Sequence, residues 1–329
     1  MDVNTFKMDL LHFVNMMNRW GEQQIPFLFI VDFEMVNPLI MRLEEARQNE
    51  ILYFVNGITN AEKRRISRSK TIEKRPGKLS DYERKFNQVL RHLEYGDTFL
   101  TNLTISTEVV IANSLQDIFF QSDAKYKLLF KDQFLVFSPE TFVKIKDGKI
   151  YSYPMKGTID ASVANAKEII LADRKELAEH VTIVDLIRND LSQVASNVTV
   201  KRFRYLDEVR TDGKNLLQVS SEICGHLDGG YRNTLGNILL KLLPAGSVSG
   251  APKPKTIQII REVEGESRGF YTGIFGYFDG VDLDSGVMIR FIERRGDRFF
   301  YRSGGGITTQ SVVELEYQEA IDKVYVPVA

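Results

Sequence analysis

Phe270-Tyr271-Thr272-Gly273-Ile274-Phe275-Gly276-Tyr277-Phe278 opens the last third of a 329-residue chain. Aromatic and β-branched residues dominate this stretch, so it reads as a strand. Two more strand-length runs follow, Val287–Glu293 and Phe299–Ser303, and a helix is expected to close the chain from Ser311. Working back from there, Asn233 to Leu243 and Ala164 to Leu191 read as helical. Thr98 to Ile150 is strand-like, with runs such as Val109-Val110-Ile111 and Leu135-Val136-Phe137. Asp81 to Tyr95 carries Phe86, Val89, Leu90 and Leu93 at helical spacing, and Gly96 stands at the expected stop. Ile25 to Phe33 is a further apolar run of strand length. Strands and helices alternate without a regular βαβ beat, which favours a mixed α/β (α+β) sandwich over a doubly wound sheet.

Bulk properties narrow the functional classes. Forty-three basic and 44 acidic side chains leave a net charge of −1. That balance gives no reason to expect nucleic acid or an anionic membrane as partner. Cys224 is the single cysteine, which excludes an intramolecular disulfide and suits a reducing compartment. No leader-like N-terminus and no membrane-length apolar run is seen, so a cytoplasmic location is expected. Eight Lys or Arg residues lie between Lys63 and Lys78, with Pro76-Gly77 among them, and read as a solvated loop.

Four stretches carry more polar chemistry than a core or a plain loop requires. Ser138-Pro139-Glu140 is followed, sixteen residues after Glu140, by Lys156 in Pro154-Met155-Lys156-Gly157-Thr158. A partly buried lysine in such a setting is expected to have a lowered pKa and a usable nucleophilic amine; a surface lysine in a turn is the bland alternative. Glu179-His180 begins a segment that runs on to Asp185 and Asp190, where helix-surface charges are the usual outcome and His180 is expected to be packed rather than ligating. Gly246-Ser247-Val248-Ser249-Gly250-Ala251-Pro252-Lys253 precedes a helix, as an anion-binding or a simply capped loop would. Gly304-Gly305-Gly306 is followed by Glu314, Glu316 and Glu319. The last two are three residues apart on one helical face, where like charges repel unless a cation such as Mg²⁺ lies between them.

In this order, Pro154–Thr158, Ile183–Asp190, Pro244–Lys253, Arg268–Tyr277 and Gly304–Lys323 resemble the chorismate-binding family of anthranilate, aminodeoxychorismate, isochorismate and salicylate synthases. The resemblance implies one catalytic unit over 1–329, with two antiparallel-rich sheets flanked by helices. Its motifs fall in 81–325, behind a shortened N-terminal subregion, 1–80. It implies Mg²⁺ held by Glu179, Glu316 and Glu319, and chorismate held by Tyr271, Arg290 and Gly304 to Gly306. Gly157, Thr158, Gln218, Ser247 and Gly250 complete the implied substrate contacts. Glu140 is the implied general acid and Lys156 the implied nucleophile. Anthranilate synthases carry Ala where Lys156 stands, aminodeoxychorismate synthases carry Lys, and isochorismate-type enzymes place a base lysine where this chain has Leu100. The implied reaction is therefore amination of chorismate at C4, with anthranilate synthase component I and an isochorismate-type synthase as alternatives. Gln218 replaces a histidine often found in the family. No glutaminase or lyase segment is evident, so a separate glutamine amidotransferase subunit is the implied source of ammonia.

Overall fold

A computed structural model describes residues 8–62, 64, 72–211 and 214–327. Two nine-stranded sheets, antiparallel at every described pairing, pack face to face with helices on their outer sides. The expected sandwich is therefore what the chain forms. Phe27–Val31 shows why an unbroken apolar run suits it. Phe27, Phe29 and Val31 point into a core shared with the helices Leu10–Glu22 and Leu235–Leu242. Leu28 and Ile30 point the other way, into the core between the sheets with Tyr53, Leu128 and Val136. Strand alternation thus buries both faces of a central strand.

Strands before residue 80 join both sheets. Phe27–Val31 and Leu39–Arg42 lie in the first, while Ile51–Val55 and Glu73–Arg75 lie in the second. Of the basic run, residues 63 and 65–71 lie outside the described residues. The short strand Glu73–Arg75 pairs with Leu100–Val110, so that part is not the loop expected. The helix Leu79–Tyr95 buries Tyr82, Phe86, Val89 and Leu93 against Leu103, Ile259 and Ile307, each such side chain worth roughly 1.5–3 kcal/mol. Gly96, at φ 89°, ends it in the left-handed turn that glycine adopts without strain.

Two of the points where the chain passes between the sheets are neighbours, and they border the site. Phe134–Ser138 belongs to the second sheet and Thr141–Lys146 to the first, so Pro139-Glu140 is a crossing. The run Val287–Glu293 is likewise not one strand. Leu283–Val287 pairs in the first sheet, Phe291–Arg295 pairs in the second, and Arg290 at φ 54° sits in the turn between them. The crossings are tied together, because Val287 N–H donates to the Glu140 carbonyl at 3.1 Å and Phe137 N–H donates to the Arg290 carbonyl at 3.1 Å. Among the described residues no helix is long and apolar enough to cross a membrane.

Candidate active site

A cavity of about 270 Å³ opens beside these crossings, and Leu100, Glu140, Lys156, Glu179, Ser247 and Gly306 all contribute to its wall. Met155, Ile183 and residues 308–310 extend that wall. A larger cavity of about 670 Å³ lies elsewhere, between Arg47, Glu62, Phe120 and Asp132, and receives none of the expected catalytic, substrate or metal residues.

Lys156 sits in the strand Met155–Asp160, where the ladder to Lys214–His226 is broken by a bulge between Met155 and Thr158. Gly157 has φ 86°, and a Cβ there would lie 2.9 Å from a Glu176 carboxylate oxygen, so only glycine suits the bulge. Gly157→Ala is expected to cost about 1–2 kcal/mol through its left-handed backbone alone. Urea unfolding measures this cost, and an unchanged midpoint would refute the strain.

The Lys156 ammonium lies 2.6 Å from a Glu179 carboxylate oxygen. The expectation of a lowered lysine pKa is corrected here. Burial does pull it down, but the Glu179 carboxylate, with Glu319 and Glu176 behind it, outweighs burial and holds the group above its ordinary value. Glu179 and Glu176 are one helical turn apart on Arg174–Ser192, whose N-cap Asp173 accepts from the Glu176 N–H at 2.9 Å. Glu176 was missed from sequence, although its i,i+3 relation to Glu179 was a usable signal.

Glu140 accepts a short hydrogen bond from the Ser247 hydroxyl. Burial pushes its carboxyl up, against the pull of Ser247, Arg290 and Lys323, which suits a group that must hold a proton. Gly250 packs against the backbone of the wall residue Leu100. At φ 133° it packs so tightly that a Cβ would fall 1.9 Å from the Leu100 carbonyl oxygen. Leu100 in turn packs against Gly306, where a Cβ would be 2.9 Å from its side chain.

The remaining expected contacts do not contribute to the wall of this cavity. Arg290 lies with its guanidinium 5.2 Å from the Tyr325 ring centroid, and Tyr271 is buried beneath the Arg302 guanidinium at 5.2 Å. Burial pushes the Tyr271 phenol up to about 12, so it stays a neutral donor. Thr158 is exposed and pairs across the ladder with Gln218. Gly304 and Gly305 are strand residues within Arg298–Ile307, and the Lys323 ammonium donates to the Gly304 carbonyl at 2.8 Å.

The three expected metal ligands occupy one region. A Cβ on Gly305 would lie 3.5 Å from Glu316 and 3.8 Å from Glu319, so the glycine leaves open space over both carboxylates. Glu179 and Glu319 both act on the Lys156 ammonium. Among the described residues no three acidic, His or Cys side chains converge closely enough to enclose an ion. Glu179 is drawn to Lys156, Glu319 to Lys323 at 2.6 Å, and Glu316 accepts from Ser311 at 2.7 Å. Carboxylates are hard oxygen ligands and suit a hard cation in kind, and two of them, Glu316 and Glu319, stand beside Gly305.

His180 is fully buried, as a packed histidine should be, with Nε2 2.7 Å from the Ser221 hydroxyl oxygen. Burial, helped by Arg204, lowers its pKa from 6.5 to about 4. The unfolded chain therefore binds the extra proton first as pH falls, and stability present above about pH 6.5 is lost towards pH 4. The loss is on the order of 3 kcal/mol. Denaturant unfolding at pH 7 and pH 4.5 tests this, and His180→Phe should flatten the difference; equal slopes for both proteins would contradict it.

Comparison with known proteins gives a consistent picture. The family model described as "chorismate binding enzyme" matches residues 33–329. A Haemophilus influenzae protein called "Uncharacterized PabA-like protein" is 47% identical over 96% of this chain and 97% of its own. Aminodeoxychorismate synthase component 1 of Bacillus subtilis is 30% identical over 74% of this chain and 54% of its own. Among solved structures, anthranilate synthase component I from Streptococcus pneumoniae TIGR4 aligns with a TM-score of 0.64 at 27% identity, over 77% of this chain and 58% of that one. The chain thus spans a little over half the length of the last two.

Proposed function

The chain belongs to the chorismate-binding enzymes, and from that premise we propose that it is component I of an aminodeoxychorismate synthase. It would convert chorismate and ammonia to 4-amino-4-deoxychorismate and water, on the way to p-aminobenzoate and folate. One observation carries the reading: the Lys156 amine and the carboxyl of Glu140, whose pKa burial raises, share the wall of one cavity.

In this reading the lysine bonds to C2 of the ring as the double bonds shift and the C4 hydroxyl leaves. Glu140 protonates that hydroxyl, which departs as water. Ammonia then bonds to C4, the double bonds shift back, and the C2–N bond breaks to return the lysine. The proton shed by ammonia restores Glu140, so the sum is chorismate plus ammonia giving product plus water. Lys156 attacks only as a neutral amine, and a cation held by Glu179 would weaken the ion pair that keeps it charged. Glu179, Glu316 and Glu319 would hold that cation, Mg²⁺, which supplies electrostatic stabilisation near the substrate's ring carboxylate. Arg290, beside Glu140, has the bidentate fork for the second carboxylate. A separate glutamine amidotransferase subunit would supply ammonia in the cytoplasm, since Cys224 is buried and sits in no nucleophile elbow.

Incubation with chorismate, Mg²⁺ and ammonium tests the reading. The expected product is non-fluorescent and yields p-aminobenzoate once an aminodeoxychorismate lyase is added. Fluorescent anthranilate formed without a lyase would sink it. Isochorismate formed in ammonia-free buffer would replace it with the isomerase reading, which Leu100 argues against because leucine cannot activate water.

A further inference from the structure

We infer that Asp190 and Lys253 are positioning residues for Glu140, holding the turn that carries its hydrogen-bond donor, Ser247, against the helix that carries Glu179. The Lys253 ammonium donates to an Asp190 carboxylate oxygen at 2.8 Å and to the Leu242 carbonyl at 3.0 Å. Leu242 ends the helix Leu235–Leu242, and Lys253 begins the helix Lys253–Glu264. One side chain therefore closes the segment 242–253 upon itself, with Ser247 near its middle. Asp190 also meets the turn directly, since a Cβ on Gly246 would fall 3.0 Å from its carboxylate oxygen. Arg268 donates to the Val248 carbonyl at 2.8 Å, so the turn is held at 246 and at 248 while Ser247, between them, donates to Glu140.

The helix Arg174–Ser192 thereby serves as a common reference for both reacting groups. Glu179 and Asp190 lie on it about three turns apart, which puts them on one face to within about 20°. At Glu179 that face pairs with the Lys156 ammonium at 2.6 Å, and Ile183 continues it along the wall of the main cavity. Further on, Ile187 and Asp190 border a small cavity of about 20 Å³ together with Gly246, Ser247 and Glu140. The two cavities share Glu140 and Ser247. The ion pair is buried, with 15% of the Lys253 side chain and 8% of the Asp190 side chain accessible. Such a pair is a poor source of stability, because apolar residues of similar shape often serve as well. What apolar residues do not supply is direction, which here comes from charged hydrogen bonds that fix one ammonium between a carboxylate and a carbonyl.

This role rests on Glu140 acting in the proposed reaction, yet its test has a readout that does not. Asp190→Leu combined with Lys253→Met replaces the pair by apolar side chains of similar shape, so the urea midpoint should change little. The double variant is expected to speed amide hydrogen exchange at 246–249 by about tenfold or more. It should also lower kcat for C4 amination on the order of 100-fold, with KM for chorismate within about twofold, as small misplacements of a reacting group do. Ser247→Ala, costly by itself, should lower kcat by no more than about twofold further in this background, because the donor is already out of place. If the double variant fails to fold, single variants carry the contrast. Asp190→Asn keeps an acceptor oxygen for Lys253 and should retain most of kcat, whereas Asp190→Leu should not. Unchanged exchange and kcat in the double variant, full additivity with Ser247→Ala, or equal behaviour of the Asn and Leu variants overturns the assignment. A wild-type protein that makes no aminated product fails the proposed function instead, and the exchange data still decide whether the pair holds the turn.

Discussion

Lys156→Ala is expected to abolish formation of 4-amino-4-deoxychorismate while leaving the protein folded. The loss should be about 10⁴-fold or more, comparable to the removal of other covalent catalytic groups. The fold should survive because Lys156 is about a third exposed, with 31% of its side chain accessible, and its main ion pair is to Glu179 at the cavity wall. The variant also frees Glu179 from its counter-ion, so binding of Mg²⁺ or another divalent cation should tighten rather than weaken. Titration calorimetry with Mg²⁺ reads this separately from turnover. Any ring product left would come from ammonia entering at C2, the position the lysine no longer occupies. Full retention of C4 amination would refute the covalent role and leave Lys156 as a charged wall residue only.

Arg268→Ala should give the largest loss of stability, about 3–5 kcal/mol. Arg268 and Glu264 are each buried, with 1% and 2% of their side chains accessible, and pair through two bonds of 2.9 and 2.7 Å. The same guanidinium donates to the carbonyls of Val248 and Asn102 at 2.8 Å, while Glu264 accepts from the backbone and hydroxyl of Thr104 at 2.9 Å. One ion pair therefore joins the turn Gly246–Ser249, the helix Lys253–Glu264 and the strand Leu100–Val110. Removing the arginine leaves a buried carboxylate with no cation, the costly way to break such a pair. The loss should reach the site as well, because Ser247 and Leu100 lie on two of the joined elements. Urea unfolding checks the magnitude. Arg188→Ala serves as control, since its pair with Asp185 is exposed and should change stability by less than about 1 kcal/mol.

Much of this molecule is legible in its sequence, and the misses have physical reasons. The strand Phe27–Val31 and the helix ending at Gly96 follow from apolar run length and from helical spacing with a glycine stop. The helix Leu10–Glu22 carries Phe13, Val14 and Met17 at the right spacing, yet Asn18 and Gly21 dilute the signal. Those two residues earn their place only in three dimensions. Asn18 accepts from the Gly236 N–H at 2.8 Å, and a Cβ on Gly21 would strike the Arg232 carbonyl. The long paired strands Ser196–Thr211 and Lys214–His226 go unpredicted because Lys201, Arg202, Arg204, Asp207 and Glu208 mask any apolar alternation. Val287–Glu293 reads as one strand because nothing local reveals that Arg290 turns the chain from one sheet to the other.

The candidate site divides in the same way. Residue types and motif order pointed to Lys156, Glu140, Glu179, Ser247 and Gly306, and the fold brings these five to one wall. The sign of the Lys156 shift was not legible, because it depends on how closely Glu179 approaches. Nor was the hydrogen bond between His180 and Ser221, which are 41 positions apart and meet only across a helix and a strand.

The most direct measurement is the mass of the peptide containing Lys156 after the protein is mixed with chorismate and Mg²⁺ without ammonia, then quenched. The account expects that peptide to gain the mass of chorismate less one water, and to lose the gain when ammonium is added before the quench. Steady formation of 4-amino-4-deoxychorismate with no such adduct on Lys156 would contradict it.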